Sequence, residues 1–385
     1  MDIKLIRKSE NLIYAEAKGK YIAEYCRDSS DSRRIQIFLY DPVCNFIREI
    51  VPERKKYDLI DIRSAIWNNQ DIFYSSYEVT EDGRLLFSIY RYSIEDDQEI
   101  RLCYVTESTE VLDNSKKIRL FILSDTSVLI QTETIQNTDI ENLMGNIAFR
   151  LALCNLENGE VTTVKDPNFI NNGISSIIPV SDTRIMLKTG YSFLEDDRLD
   201  SANENEALIE SVYITTSAKL IADITLANES VDMILIESVY FDRHITGPFV
   251  TDEYIHFCIA DADRKNVKCV FYNSDTGERL EYSVNSFNPD DLYITYVLDH
   301  VPYVRKQTEG TTSFFNLRKA SSDIAFYGEE FRALYSDIFI TESLGKKQRM
   351  HIYSYPGLEL LMDEKSHYHT SCCRNKEYYI YIADH

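Results

Sequence analysis

The chain has 385 residues, of which 44% are hydrophobic and 27% charged, a balance typical of a globular rather than a disordered protein. Its net charge of -22, with no cluster of lysine and arginine, argues against nucleic-acid binding and against docking on anionic lipid. No segment approaches the roughly 18 consecutive apolar residues of a membrane span. We therefore expect a cytoplasmic protein whose eight cysteines are free thiols, with no nucleic-acid or membrane partner.

In chain order, the first clear element is a strand over residues 34–40. Ile35, Ile37 and Leu39 alternate with Gln36, Phe38 and Tyr40, so both faces of this strand are partly apolar. The segment 376–383 near the other end alternates in the same way. Strands that are apolar on both faces indicate sheets that are covered on both sides.

A strand, a tight polar turn and a second strand recur about seven times along the chain. The clearest copies are residues 38–50 and 270–284, and the second of them turns at Gly277. A unit that recurs every few tens of residues predicts a repeat architecture. The turns of the seven copies lie near Pro42, Ser108, Gly159, Ser217, Gly277, Ser321 and Pro356.

Between successive copies lie two further β-rich segments, for example residues 71–79 with 84–92, and 175–180 with 184–193. Each repeat therefore contains about four strands. Turns such as the one at Glu81-Asp82-Gly83 supply the backbone conformations that antiparallel hairpins need.

In this organisation the chain resembles the β-propeller superfamily over nearly its whole length. It lacks the Gly-His and Trp-Asp signature of WD repeats and the paired glycines of kelch repeats. The resemblance implies an all-β fold of about seven four-stranded antiparallel blades, with six or eight blades as alternatives. We predict one domain over residues 1–385, closed by pairing of the N- and C-terminal strands. Two β-sandwiches divided near residue 200 are the competing architecture.

Few segments predict helix. Residues 138–144 begin with a capping-box pattern, and residues 57–67 are either a short helix or a distorted strand. The polar segment 195–206 predicts an exposed loop. Its spacing of Asp196, Arg198 and Asp200 does not match a calcium-binding loop.

Three adjacent ionisable residues, Asp242, Arg243 and His244, are the candidate catalytic group. A carboxylate can orient a histidine, and histidine titrates near neutral pH. Adjacent residues on a strand nevertheless point to opposite faces. An ordinary loop with an Asp-Arg pair is therefore the competing interpretation.

His367 and His369 are the candidate metal ligands, because a strand would place both imidazoles on one face, close in sequence to Cys372 and Cys373. Their spacing matches no known zinc motif. We therefore expect no bound metal and no cofactor.

The repeat indicates an architecture and not a chemistry. The leading functional hypothesis is a platform that binds a protein or a small ligand, since radial repeats offer a broad face and a central channel. The alternatives are a hydrolase or lactonase with its site in the channel, and a structural subunit of an assembly. The sequence leaves open whether the protein is an enzyme.

Overall fold

A computed structural model describes residues 2–9, 12–18, 20–27, 35–50, 59–60, 66–67, 70–79, 85–108, 117–135, 147–190, 210–240, 243–261, 266–284, 294–308, 310–335, 337–343, 349–365, 370–374 and 378–384. It divides into two compact units, one formed by Met1–Leu112 with Gly328–His385 and the other by Asp113–Tyr327. None of the helices within these described ranges is long and apolar enough to cross a membrane.

The first unit contains three antiparallel sheets, each with a path of four strands. The first sheet consists of strands β2 (Leu12–Lys18), β3 (Tyr21–Arg27), β4 (Ile35–Tyr40) and β5 (Phe46–Ile50). The second consists of β6 (Leu59–Ile60), β8 (Asp71–Val79), β9 (Leu85–Ser93) and β10 (Gln98–Ser108), with β7 (Ile66–Trp67) also pairing with β8. The third consists of β27 (Glu329–Tyr335), β28 (Ile338–Ser343), β29 (Arg349–Ser354) and β30 (Leu360–Lys365).

A three-stranded sheet in the same unit joins the two ends of the chain. Strand β1 (Asp2–Ser9) pairs in parallel with β32 (Tyr378–Asp384), which pairs antiparallel with β31 (Thr370–Arg374). Parallel neighbours cannot be joined by a tight hairpin, and here the two strands come from opposite ends of the sequence.

The second unit contains four antiparallel sheets of four strands each. The first and second of them, in chain order, consist of β11 (Lys117–Ser124), β12 (Ser127–Ile135), β13 (Ile147–Asn155) and β14 (Val161–Thr163), and of β15 (Ile174–Pro179), β16 (Arg184–Thr189), β17 (Glu210–Thr216) and β18 (Ile234–Val239). The third consists of β19 (Arg243–Thr251), β20 (Tyr254–Asp261), β21 (Val267–Asn273) and β22 (Arg279–Ser283). The fourth consists of β23 (Ile294–Leu298), β24 (Val301–Thr308), β25 (Thr311–Asn316) and β26 (Ser321–Tyr327). The helices are α1 (Pro167–Asn172) and α2 (Ser217–Thr225).

The described chain is therefore an all-β protein with the seven four-stranded blades of a β-propeller, which confirms the fold class predicted from the repeat. The single closed domain over residues 1–385 stays a prediction. In the central strands β16 and β20 nearly every side chain is buried, as expected for sheets that are covered on both faces.

Two of the seven expected turns are placed differently in the structure. Gln98–Ser108 form the single long strand β10, residues 109–116 lie outside the described ranges, and the hairpin between β9 and β10 turns at residues 94–97. At Ser217 the chain forms helix α2, because the Thr216 hydroxyl accepts from the Lys219 backbone N–H and caps the first turn. Leu220 and Ile224, four residues apart, then bury one helical face.

Three further expectations involve residues that are partly or wholly outside the described ranges. The possible helix at 138–144 and the polar loop at 195–206 lie outside them. Of residues 57–67, the structure describes Leu59–Ile60 and Ile66–Trp67, and both are strands.

Candidate functional site

Arg243 and His244 open strand β19 and differ in their surroundings. Arg243 is exposed, and its Nε atom lies 3.2 Å from Oδ1 of Asp261 on the paired strand β20. His244 is buried. Since neighbouring residues of a strand point to opposite faces, the structure does not bring these two side chains together. Asp242 lies outside the described residues, and the catalytic role of the three residues stays a prediction.

His367 and His369 also lie outside the described residues. Cys372 and Cys373 belong to β31. Within the ranges given above, no group of three or more His, Cys, Asp or Glu side chains could hold a metal ion.

A buried ion pair lies beside His244 and was not anticipated from the sequence. Lys188 at the end of β16 and Glu210 at the start of β17 place Nζ and Oε1 3.4 Å apart, with less than a tenth of either side chain exposed. Burial lowers the pKa of Lys188, and the neighbouring Glu210 carboxylate opposes that shift.

Both members of this pair form hydrogen bonds with the backbone of strand β19 in the next blade. Nζ of Lys188 donates to the carbonyl oxygen of Ile245 over 2.8 Å, and Oε2 of Glu210 accepts from the N–H of Ile245 over 2.6 Å. Both backbone groups of one residue in β19 are thereby hydrogen-bonded to side chains from the preceding blade.

Gln131 does the same one blade earlier. Its Nε2 donates to the carbonyl of Ile174 over 3.1 Å, and its Oε1 accepts from the N–H of Ile174 over 2.6 Å. Ile174 opens β15, so a second-strand side chain again binds the first strand of the following blade. Lys188 therefore occupies a recurring inter-blade position in the second strand, and together with Glu210 it fixes one blade to the next.

His256 in β20 forms a third contact of this kind. Its Nδ1 lies 2.9 Å from Oγ1 of Thr295 in β23, and its Nε2 lies 3.0 Å from Oγ1 of Thr251. The ring stacks on Phe271 with centroids 5.8 Å apart. Burial lowers the pKa of His256 to about 3, so the imidazole is neutral and bonds both hydroxyls.

A different polar network crosses the blade formed by β27–β30. The buried Glu329 carboxylate accepts from Thr341 Oγ1 and from the hydroxyl of Tyr353 over 2.7 Å. Its Oε1 also lies 3.0 Å from Nδ1 of His351, whose Nε2 lies 3.3 Å from Oδ1 of Asp363. The ring thus lies between two carboxylates, and the network ties all four strands of the blade together.

The ionisation of two network members reflects these contacts. Burial and the hydrogen bond to Glu329 raise the pKa of Tyr353. The hydrogen bond from Arg349 lowers the pKa of the exposed Asp363 carboxyl. Tyr353 therefore remains a hydrogen-bond donor and Asp363 an acceptor at neutral pH.

The sequence contained some signal for these residues. Lys188 is a charged residue that ends the apolar stretch Ile185-Met186-Leu187, and it is therefore unusual in a central strand. Its partner Glu210 lies more than twenty residues further along the chain, across the polar insertion, so sequence spacing alone did not connect the two.

In three of the four-stranded sheets, the fourth strand begins with exposed apolar side chains. Each of β5, β18 and β30 begins with two adjacent large apolar residues, and each is an edge strand paired on one side only among the described strands. In β5 and β30 the second residue of the pair, Ile47 or Leu361, lies at a register shift against the neighbouring strand, as in a β-bulge. The six side chains are between 37% and 63% exposed: Phe46 and Ile47, Ile234 and Leu235, and Leu360 and Leu361.

Comparison with solved structures gives matches over most of the chain. The chain is similar to the β-propeller domain of the trilobed protease from Pyrococcus furiosus, at 13% identity and TM-score 0.49, with 93% of this chain and 99% of that chain covered. It is also similar to one of two prolyl endopeptidases, at 8% identity and TM-score 0.52 over 94% of this chain, and it spans half of that chain. At such identities the likeness concerns the fold alone.

The chain has the β-propeller fold. No protein-family model matches it. No curated protein matches its sequence either.

Proposed function

We propose that this propeller is a platform that binds an extended polypeptide segment of a partner protein by strand addition. The observation that carries the proposal is the pair of exposed apolar residues that begins each of the edge strands β5, β18 and β30. An edge strand offers unpaired backbone groups, and its exposed side chains select the side chains of the incoming strand.

The charge of the chain favours a cationic partner. The net charge is -22, and each of these strands carries a carboxylate near its apolar pair: Glu49, Glu237 and Asp363. Glu237 is already paired with Arg279 and Asp363 with Arg349, so the overall charge is the argument for a cationic partner. A partner that combines apolar residues with lysine or arginine would match the exposed apolar pairs and this charge. These charges also discourage pairing between copies of the chain through like-charge repulsion.

The test uses a fluorescent octapeptide of alternating leucine and lysine and measures its anisotropy with the full-length protein. Replacing Leu360 and Leu361 together with serine should weaken binding at the β30 edge roughly tenfold, or about 1.4 kcal/mol, and so reduce the number of tight sites from three to two. The matched control is Leu226→Ser, because Leu226 is 72% exposed but follows helix α2 and lies on no strand.

A second peptide distinguishes strand addition from simple charge attraction. Methylation of alternate backbone nitrogens leaves the charge and the side chains unchanged but removes the donors that pair with an edge. We expect the methylated peptide to bind much more weakly. Equal binding of both peptides, or an equal effect of Leu226→Ser, would contradict the proposal.

A further inference from the structure

Two cysteines face each other across the centre of one blade. Cys258 in β20 and Cys269 in β21 are directly opposite in the strand register, and their Sγ atoms lie 3.6 Å apart. Both are free thiols, and both are almost completely buried.

The register shows that the two backbones are close enough for a covalent link. The N–H of Asp261 donates to the carbonyl of Asn266 over 3.2 Å, which makes these two opposite residues a hydrogen-bonded pair. Pairs alternate along antiparallel strands, so Cys258 and Cys269, three positions further, form a non-hydrogen-bonded pair. In such pairs the Cα atoms are about 4.5 Å apart, within the roughly 4.4–6.8 Å that a disulfide spans.

The surroundings place this pair at a contact between blades. Cys258 and Cys269 pack in one apolar cluster with Phe271 of their own blade and with Val297 and Val304 of the next. A covalent link here would fasten the hairpin β20–β21 where it supports the following blade.

We propose that Cys258 and Cys269 form a reversible cross-strand disulfide when the protein meets a peroxide. One sulfur attacks hydrogen peroxide, forms a sulfenic acid and releases water. The second sulfur then attacks the first, forms the S–S bond and releases a second water, so two thiols and one peroxide yield one disulfide and two waters. A dithiol reductant reverses the reaction by thiol–disulfide exchange.

The buried state of the pair predicts how fast it reacts. The hydrogen bond with the Cys269 sulfur and burial raise the pKa of the Cys258 thiol, so the reactive thiolate is scarce while the blade is closed. Oxidation therefore requires local opening of the hairpin, and the reaction is a slow response to sustained oxidant.

The experiment treats the reduced, folded, full-length protein with hydrogen peroxide, then denatures it, alkylates the remaining thiols and maps the peptides by mass spectrometry. We expect two of the eight thiols to be lost, and a cross-linked peptide pair containing Cys258 and Cys269 that is two hydrogens lighter. Dithiothreitol should restore both thiols. Oxidation should also raise the urea midpoint of unfolding.

Variants separate this pair from the other buried thiols. Cys258→Ala should abolish both the cross-link and the shift in midpoint, whereas Cys154→Ala, also at a buried cysteine, should leave both intact. The wild-type peptide map decides the question even if Cys258→Ala does not fold. Alkylation of Cys258 and Cys269 as separate free thiols, or a sulfinic acid at either residue without the cross-link, would overturn the proposal.

Discussion

The Nδ1 atom of His256 lies 2.9 Å from the hydroxyl oxygen of Thr295, and this contact joins the second strand of one blade to the first strand of the next. The other ring nitrogen lies 3.0 Å from the hydroxyl of Thr251. A neutral imidazole has one donor and one acceptor, and the two hydroxyls can match both. Protonation would turn both nitrogens into donors and place a charge in a site without solvent.

The first prediction concerns the pH dependence of stability at this histidine. The pKa of His256 is about 3 in the folded protein against an ordinary value of 6.5. The contribution of the neutral His256 to the free energy of unfolding is therefore fully present above pH 6.5. It is lost as the pH falls toward 3, because the unfolded chain takes up the proton first. Within that window the expected loss is about 1.4 kcal/mol per pH unit.

Urea unfolding of the wild type and of His256→Gln at several pH values measures this contribution as the difference between their pH slopes. The matched control is His300→Gln, since the His300 side chain is 67% exposed. Parallel slopes for the wild type and His256→Gln would show that His256 takes up its proton at the same pH in the folded and the unfolded protein, and would contradict the prediction.

The second prediction concerns the buried pair of Lys188 and Glu210. Lys188→Met leaves the Glu210 carboxylate buried without its counter-ion, and we expect a loss of about 3–5 kcal/mol in the free energy of unfolding. Adding Glu210→Gln should recover part of this loss, since it removes the isolated charge. Chemical denaturation of the single and double variants measures both effects.

Lys268→Met is the control for this pair. Its ammonium group also contacts carboxylates, those of Glu237 and Glu281, but the side chain is 38% exposed. Exposed pairs contribute about 0–1 kcal/mol. Similar costs for Lys188→Met and Lys268→Met would mean that burial does not govern the energy of the Lys188 pair.

The third prediction uses two glycines that both have a positive φ angle but have different neighbours. Gly173, which ends helix α1, has φ +65°, and Gly310 has φ +80°. A Cβ atom at Gly173 would lie 2.7 Å from the ring of Phe149, whereas one at Gly310 would meet nothing within 4 Å. Both alanine variants carry the strain of a positive φ, and Gly173 adds the clash with Phe149 and a ψ angle of 172° that only glycine adopts readily.

We expect Gly173→Ala to cost about 1–3 kcal/mol more in unfolding free energy than Gly310→Ala. Thermal or urea unfolding of both variants is the measurement, and adding Phe149→Leu should reduce the cost at Gly173. Equal costs at the two positions would imply that the Phe149 ring moves aside freely.

The sequence predicted the blades better than it predicted the contacts between them. Alternation such as that of Ile37 and Leu39 reports burial directly, because every second side chain of a strand lies on the same face. The β repeat predicts a turn at Ser217, although the capping Thr216 and the apolar pair Leu220 and Ile224 carry a helical signal. The surrounding β repeat outweighed that short pattern.

Polar contacts between blades could not be derived in the same way. Glu210 meets Ile245 and Gln131 meets Ile174 at separations of 35 and 43 residues, so each contact depends on the register of strands in two blades. A shift of one residue in any strand would turn its side chains to the other face. Sequence periodicity gives the faces of each strand but not the offset between neighbouring blades.

The fourth prediction concerns the network around Glu329. Glu329 accepts hydrogen bonds from Thr341 and Tyr353 and contacts His351, so Glu329→Ala leaves these groups without their shared acceptor. We expect a loss of about 2–4 kcal/mol in unfolding free energy, more than for Tyr353→Phe alone. In a double-mutant cycle, Glu329→Ala and Tyr353→Phe should show a coupling energy of roughly 1–2 kcal/mol.

The control cycle pairs Glu329→Ala with Ser354→Ala. Ser354 follows Tyr353 in β29, but its hydroxyl accepts from the N–H of Glu359 in the turn and takes no part in the network. These two substitutions should add within about 0.5 kcal/mol. Additivity of Glu329→Ala with Tyr353→Phe as well would show that the hydrogen bond between them adds no stability, and the blade would then depend on its apolar core alone.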